Sequence, residues 1–259
     1  MRHHKLDMRQ FMQQVKEHHR INAARDGHYI LTFRNFHLHA IIIAMSQGVS
    51  DDYVDALIDL GAFIFEFARI MRATHMDAEG TPESDTTHTV MLSVMACAVA
   101  AKFHPEYDLG KVAHYALVHD LVEVYAGDVI TINYTDVDRH RKSQDEREAL
   151  QKIKERFAGN FDWIYETIEA YEKLADPEAR FVKSLDKSMP GIAQRLTSSK
   201  TINETFDDPE AFEASMHAIS KDMADTYGHD QPHAITLRKK IIDTLIDQKY
   251  AHHGKKRQQ

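Results

Sequence analysis

The sequence predicts an all-α fold, and three observations carry that expectation. From about residue 50 onward, apolar residues recur at the roughly 3.6-residue spacing of amphipathic helices. The same segments open on residues that cap helices: Ser50, Asp108, Asp176 before Pro177, and Asp208 before Pro209. No stretch after residue 50 alternates as a strand ladder would, and none repeats another. A chain of 259 residues can bury the core of one large domain or two small ones without cross-links.

Taken in order, residues 1–49 read as an N-terminal extension. Its first part is polar and suits a helix or an arm, and HYILTFRNFHLHAIIIAM (28–45) is ambiguous between a short helix and extended chain. Ser50 then caps a helix with Asp51 and Asp52 in its first turn, whose stripe runs Val54, Leu57, Ile58, Gly61, Ile64, Phe65, Ala68, Met71. Arg69 and Arg72 close it, where paired guanidinium groups can hold an anion. The loop from Asp77 to Asp85 leads into a helix capped near Asp85 or Thr86 and ending at His104. On it His88 shares an inward face with Leu92, Met95 and Val99.

Residues 108–128, DLGKVAHYALVHDLVEVYAGD, read as one buried helix from the Asp108 cap to Gly127. VITINYTDVDRHRKSQ follows as a loop, and a Ser143/Glu146 capping box opens a charged helix ending at Gly159. Further helices are expected over 161–175, from Asp176 to a stop at Pro190 and Gly191, from Asp208, and from about Ala234 to Tyr250. Residues 50–200 are the expected core, 201–250 C-terminal helices packed on it, and 251–259 a disordered tail.

Composition narrows the class. A net charge of −8 argues against a nucleic-acid surface but leaves room for a small anionic ligand held by a local cluster of Arg and Lys. The single cysteine, Cys97, excludes a disulfide framework and a thiolate zinc site. The apolar run from Ala40 to Met45 is too short to cross a bilayer and no signal peptide opens the chain, so the expectation is a cytoplasmic protein with no membrane partner.

The chemistry concentrates in residues 108–128. His119, Asp120 and Glu123 lie within an apolar pattern, and burying such groups without partners costs roughly 1–3 kcal/mol each. A divalent cation shared by His119 and Asp120 would satisfy them; a hydrogen-bonded core histidine is the plainer alternative. His88 is the candidate third ligand. Asp186, one turn after Val182, is the fourth.

The order His88, His119–Asp120, Asp186 resembles the H…HD…D pattern of the HD-domain metal-dependent phosphohydrolase superfamily, and HDLVEVYAGD is similar to the HD-x-x-E-x-x-x-G-D run of its 5′-deoxynucleotidase-like branch. The resemblance covers roughly residues 65–190 and implies an HD-domain helical bundle with extra N- and C-terminal helices. It implies His88, His119, Asp120 and Asp186 as ligands to one divalent ion (Mn, Co, Fe, Ni, Zn or Mg), since only His140 offers a further imidazole before Asp186. It implies Glu123 and Asp128 as catalytic residues, and Arg72, with Arg69 as the alternative, as the phosphate-binding residue. Where the branch carries a tryptophan beside that arginine, Ala73, Thr74 and His75 follow Arg72, a departure that bears on the sugar pocket.

The implied reaction removes phosphate from a nucleoside 5′-monophosphate or similar monoester by a water that the ion activates. The alternatives are a dNTP triphosphohydrolase using Arg139, Arg141, Lys183 and Lys187, and a non-catalytic nucleotide-binding domain. The long extension is expected to act as a lid, as an oligomer surface in a homodimer, or in substrate choice.

Overall fold

A computed structural model describes residues 49–128, 136–197, 200–255 and 257. Residues 52–259 form one compact unit. The expectations for residues 1–48, for Tyr134 and for the Arg139 side chain lie outside the described residues.

The described elements are α1 (Asp51–Phe67), β1 (Met71–His75), β2 (Pro82–Ser84), α2 (Asp85–Phe103), α3 (Leu109–Val118), α4 (Glu123–Ala126), α5 (Asp136–Phe157), α6 (Asp162–Glu172), α7 (Pro177–Asp186), α8 (Met189–Leu196), α9 (Lys200–Thr205), α10 (Pro209–Tyr227) and α11 (Pro232–His252). The all-α expectation holds apart from the small antiparallel β1–β2 pair.

Helix α3 is the axis of the arrangement. Val112, Tyr115 and Ala116 face a core built with Leu92, Ala96 and Ala100 of α2 and Phe181, Val182 and Leu185 of α7. Val118, together with Leu121 and Val122 just beyond the helix, faces a second core of Phe63, Phe67, Ile153, Phe157, Ile164 and Ile168. A third core, Phe212, Met216, Ile242, Leu245 and Ile246, joins α10 to α11. Helix α2 is long and apolar enough by composition to pass as a membrane span. In this fold it is a core helix instead, with Leu92, Ala96 and Ala100 fully buried.

The capping expectations at Asp108, Asp176 and Asp208 hold: each carboxylate accepts a backbone N–H of the first turn. Several other expectations are corrected. The first helix stops at Phe67, and its buried residues are Phe63 and Phe67, while Val54, Leu57, Ile58, Ile64 and Phe65 are exposed. That helix is apolar on two sides, so periodicity alone could not choose the inward one. Arg72 consequently lies on β1 rather than at a helix end. Helix α2 is capped by Ser84, whose hydroxyl accepts from Thr87 N, so Asp85 is left free for other contacts.

The expected single helix over 108–127 breaks after Val118. Leu121 and Glu123 donate backbone bonds to Val118 and Asp120, one residue tighter than an α-helix, before α4 begins. The expected loop before Ser143 is helical from Asp136, so Ser143 lies inside α5 and its hydroxyl accepts from Arg147 rather than forming a capping box. Pro190 and Gly191 start α8 rather than end α7. In the expected tail, α11 continues to His252, and Lys255 and Arg257 pair with Glu210 and Glu213.

Gly191 allows α11 to approach α8, because a Cβ there would lie 2.8 Å from Ile241 Cγ2. Gly191→Ala is expected to lower stability by about 1–3 kcal/mol, read as a shifted denaturation midpoint.

Candidate metal centre

The break between α3 and α4 builds the site. His119 is the residue after α3, and its Nδ1 donates to Ala116 O at 2.8 Å. That bond orients the ring and directs Nε2 inward. There Nε2 lies 2.8 Å from Asp120 Oδ2 and 3.7 Å from Asp186 Oδ1. It is buried and close to these oxygens but lacks an aligned hydrogen bond.

His88, in the first turn of α2, reaches the same two carboxylates. Its Nε2 lies 2.9 Å from Asp186 Oδ1 and 3.9 Å from Asp120 Oδ2, and its Nδ1 faces Glu83 at 3.7 Å. Glu83 in turn accepts a short hydrogen bond from the Thr74 hydroxyl. A carboxylate behind a ligand imidazole is the usual device for orienting it.

One donor atom each from His88, His119 and Asp186 lies within 4.8 Å of the others. Donors bound at about 2.0–2.3 Å to one ion lie no more than roughly 4.6 Å apart, and Asp186 Oδ1 lies 2.9 Å from His88 Nε2 and 3.7 Å from His119 Nε2, so these groups fit a divalent cation, with Asp120 beside them. The strongest sign of fit is the buried His119 Nε2, which faces two carboxylate oxygens with no aligned hydrogen bond among the described residues.

A second carboxylate group adjoins the first: Asp85, Asp120 and Glu123. Arg72 supplies its positive charge. Nη1 donates to Asp85 Oδ1 at 3.0 Å and to Asp120 Oδ2 at 2.8 Å, and lies 3.9 Å from Glu123 Oε2. Burial works against that charge, but the surrounding carboxylates outweigh it and keep the guanidinium ionised.

Glu123, the first residue of α4, is buried. Burial first, then the Asp120 and Asp85 carboxylates, push it up to about 11. Asp128 follows Gly127, whose positive φ of 77° ends α4, and its charge acts on both Arg72 and Glu123. The structure therefore gathers His88, His119, Asp120, Asp186, Glu123, Arg72 and Asp128. It does not bring in Arg69, which is exposed in the turn after α1. Sequence reasoning missed Asp85 and Glu83, because acidic residues at a helix start are adequately explained by the helix dipole.

Protons occupy the imidazoles when no metal does. Burial opposes charge on His119, but Asp120 and Asp186 outweigh it and raise the ring to about 10. His88 moves in the same direction under Asp186 and Glu83. A raised pKa stabilises the metal-free fold fully below the unfolded value near 6.5, and that contribution is lost as pH climbs through about 10. Thermal melts of metal-free protein are therefore expected to show Tm falling across that interval. Titrations are expected to show Mn2+ affinity rising across it, because metal and protons compete for the same nitrogens.

Buried imidazoles and carboxylates converging from separate helices define the class: a helical bundle built around a site for a divalent cation. The comparisons give the family. A profile of the HD domain matches residues 68–227, and the chain belongs to the HD-domain family. Among curated proteins it is 34% identical over 107 residues to the 5′-deoxynucleotidase HDDC2 of Bos taurus and 30% identical over 107 residues to that of Homo sapiens. Each alignment covers 41% of this chain and 50% of the relative, so the chain spans about half the length of the curated relatives it matches. A crystal structure of a predicted metal-dependent phosphohydrolase from Magnetospirillum magnetotacticum MS-1 superposes with a TM-score of 0.62. That likeness covers 77% of this chain and 98% of the other at 20% identity, and is one of fold.

Proposed function

We propose that the protein hydrolyses the phosphate monoester of a nucleoside 5′-monophosphate with the help of one divalent ion. The observation that carries this reading is the placement of the Arg72 guanidinium, 2.8 Å from Asp120, against the four-ligand cluster. An anion-binding group and a cation site side by side suit a phosphate group. The name of the HDDC2 relatives supports the same class of substrate.

His88, His119, Asp120 and Asp186 would hold the ion. When bound, it supplies Lewis acidity toward a phosphoryl oxygen and makes a water easier to deprotonate. Mixed nitrogen and oxygen donors without sulfur suit Mn, Co, Fe, Ni, Zn or Mg. Among the described residues, Nε and Nη2 of Arg72 have no hydrogen-bond partner, which leaves two donors for phosphate oxygens. Burial raises the Glu123 carboxyl, which in its protonated form would pass the proton to a leaving alkoxide oxygen.

Of the cations that a triphosphate would need, Lys183 and Lys187 both feel the Asp186 carboxylate. Arg141 is exposed and pairs with Asp138, and Lys183 lies 3.5 Å from Glu172. His140 is exposed on α5.

A panel of ribo- and deoxynucleoside mono- and triphosphates, assayed with Mn2+, Co2+ and Mg2+, tests the reading. Orthophosphate from monophosphates is expected. Tripolyphosphate from dNTPs, or no monophosphate turnover with any of these ions, contradicts it.

A further inference from the structure

We propose that Asp85 is the positioning residue for Arg72, anchoring its guanidinium beside the ion site so that its free edge meets the substrate phosphate. The proposal rests on the function proposed above and names a residue that neither the ligand pattern nor the family resemblance assigns.

Arg72 Nη1 is shared between Asp85 and Asp120 at 3.0 and 2.8 Å. The two acids are not equivalent. Asp120 belongs to the ligand set, so a bound cation withdraws its electron density and repels the neighbouring guanidinium. Asp85 is not one of the four residues His88, His119, Asp120 and Asp186: it groups with Asp120 and Glu123 around Arg72, and its side chain is 0% exposed. It is also fixed at both ends. Its backbone N–H donates to Ile70 O, and Ser84, not Asp85, caps α2, so the carboxylate is not needed for the cap. Once Asp120 is engaged, Asp85 is the anion that keeps Arg72 in place. Loss of that anchor frees a long side chain whose ordering entropy must then be met by phosphate itself.

A purely structural acid at a helix start would affect folding and leave phosphate binding alone. The test uses the full chain loaded with Mn2+. Bound metal, inorganic phosphate affinity by calorimetry, and KM for the hydrolysed nucleotide are measured for wild type, Asp85→Asn, Arg72→Ala and the double variant. Asp85→Asn is expected to keep its metal and to weaken phosphate binding about 10–100-fold, the loss of one charge-assisted hydrogen bond. KM should rise in parallel. The double variant should be no worse than Arg72→Ala, because the two residues act as one unit.

Wild-type phosphate affinity in Asp85→Asn, or additive losses in the double variant, overturns the proposal. Should Asp85→Asn fail to fold, Arg72→Lys decides. An ammonium cannot bridge Asp85 and a phosphate as the planar fork does, so its phosphate affinity should match that of Arg72→Ala; wild-type affinity would overturn the proposal. Phosphate binding needs no turnover. A wild type that binds phosphate but hydrolyses no nucleotide refutes the proposed function and leaves this inference standing.

Discussion

Replacing Asp120 with alanine is expected to remove bound metal and catalytic turnover together. Asp120 Oδ2 is the shared centre of the cluster, 2.8 Å from both His119 Nε2 and Arg72 Nη1 and 3.9 Å from His88 Nε2. Without it two imidazoles and a guanidinium face each other with Asp186 as the remaining neighbouring acid of the ligand set. The loss should exceed the roughly 10–100-fold that follows removal of an outer partner of a metal site. Elemental analysis of purified variant and wild type, alongside phosphate release, checks it. Metal retained at wild-type stoichiometry would refute the ligand assignment.

Glu123→Gln separates proton transfer from metal holding. The amide fills the same volume and keeps a hydrogen-bond donor, but it cannot give up a proton. Turnover is expected to fall about 10²–10⁴-fold with metal content unchanged. Because burial, foremost, raises this carboxyl, activity in the wild type should decline on the alkaline side as the proton is lost. The variant should lack that limb. A pH–rate profile shared by both proteins would show that Glu123 does not carry the proton.

The central pair was legible because ionisable residues inside an apolar period need an explanation, and His119 and Asp120 are adjacent in one. The caps at Asp176 and Asp208 were legible because an acid before proline has few other uses at a helix start. The bend after Val118 was not, since Leu121 and Val122 keep the helical spacing through the turn and still reach the core. The β1–β2 pair escaped notice because a strand such as Pro82–Ser84 is too short to show a period. Periodicity therefore puts Arg72 at a helix end, although its place at the site follows from the hairpin. Asp85 was hidden by its own plausibility as a first-turn acid.

One ion shared by residues from separate helices is the central requirement of the proposed site, and an anomalous difference map from crystals grown with Mn2+ tests it most directly. One strong peak about 2.0–2.2 Å from His88 Nε2, His119 Nε2 and carboxylate oxygens of Asp120 and Asp186 is the expected result. A map with its peak elsewhere, or a peak that leaves His88 or Asp186 out of reach, would contradict it.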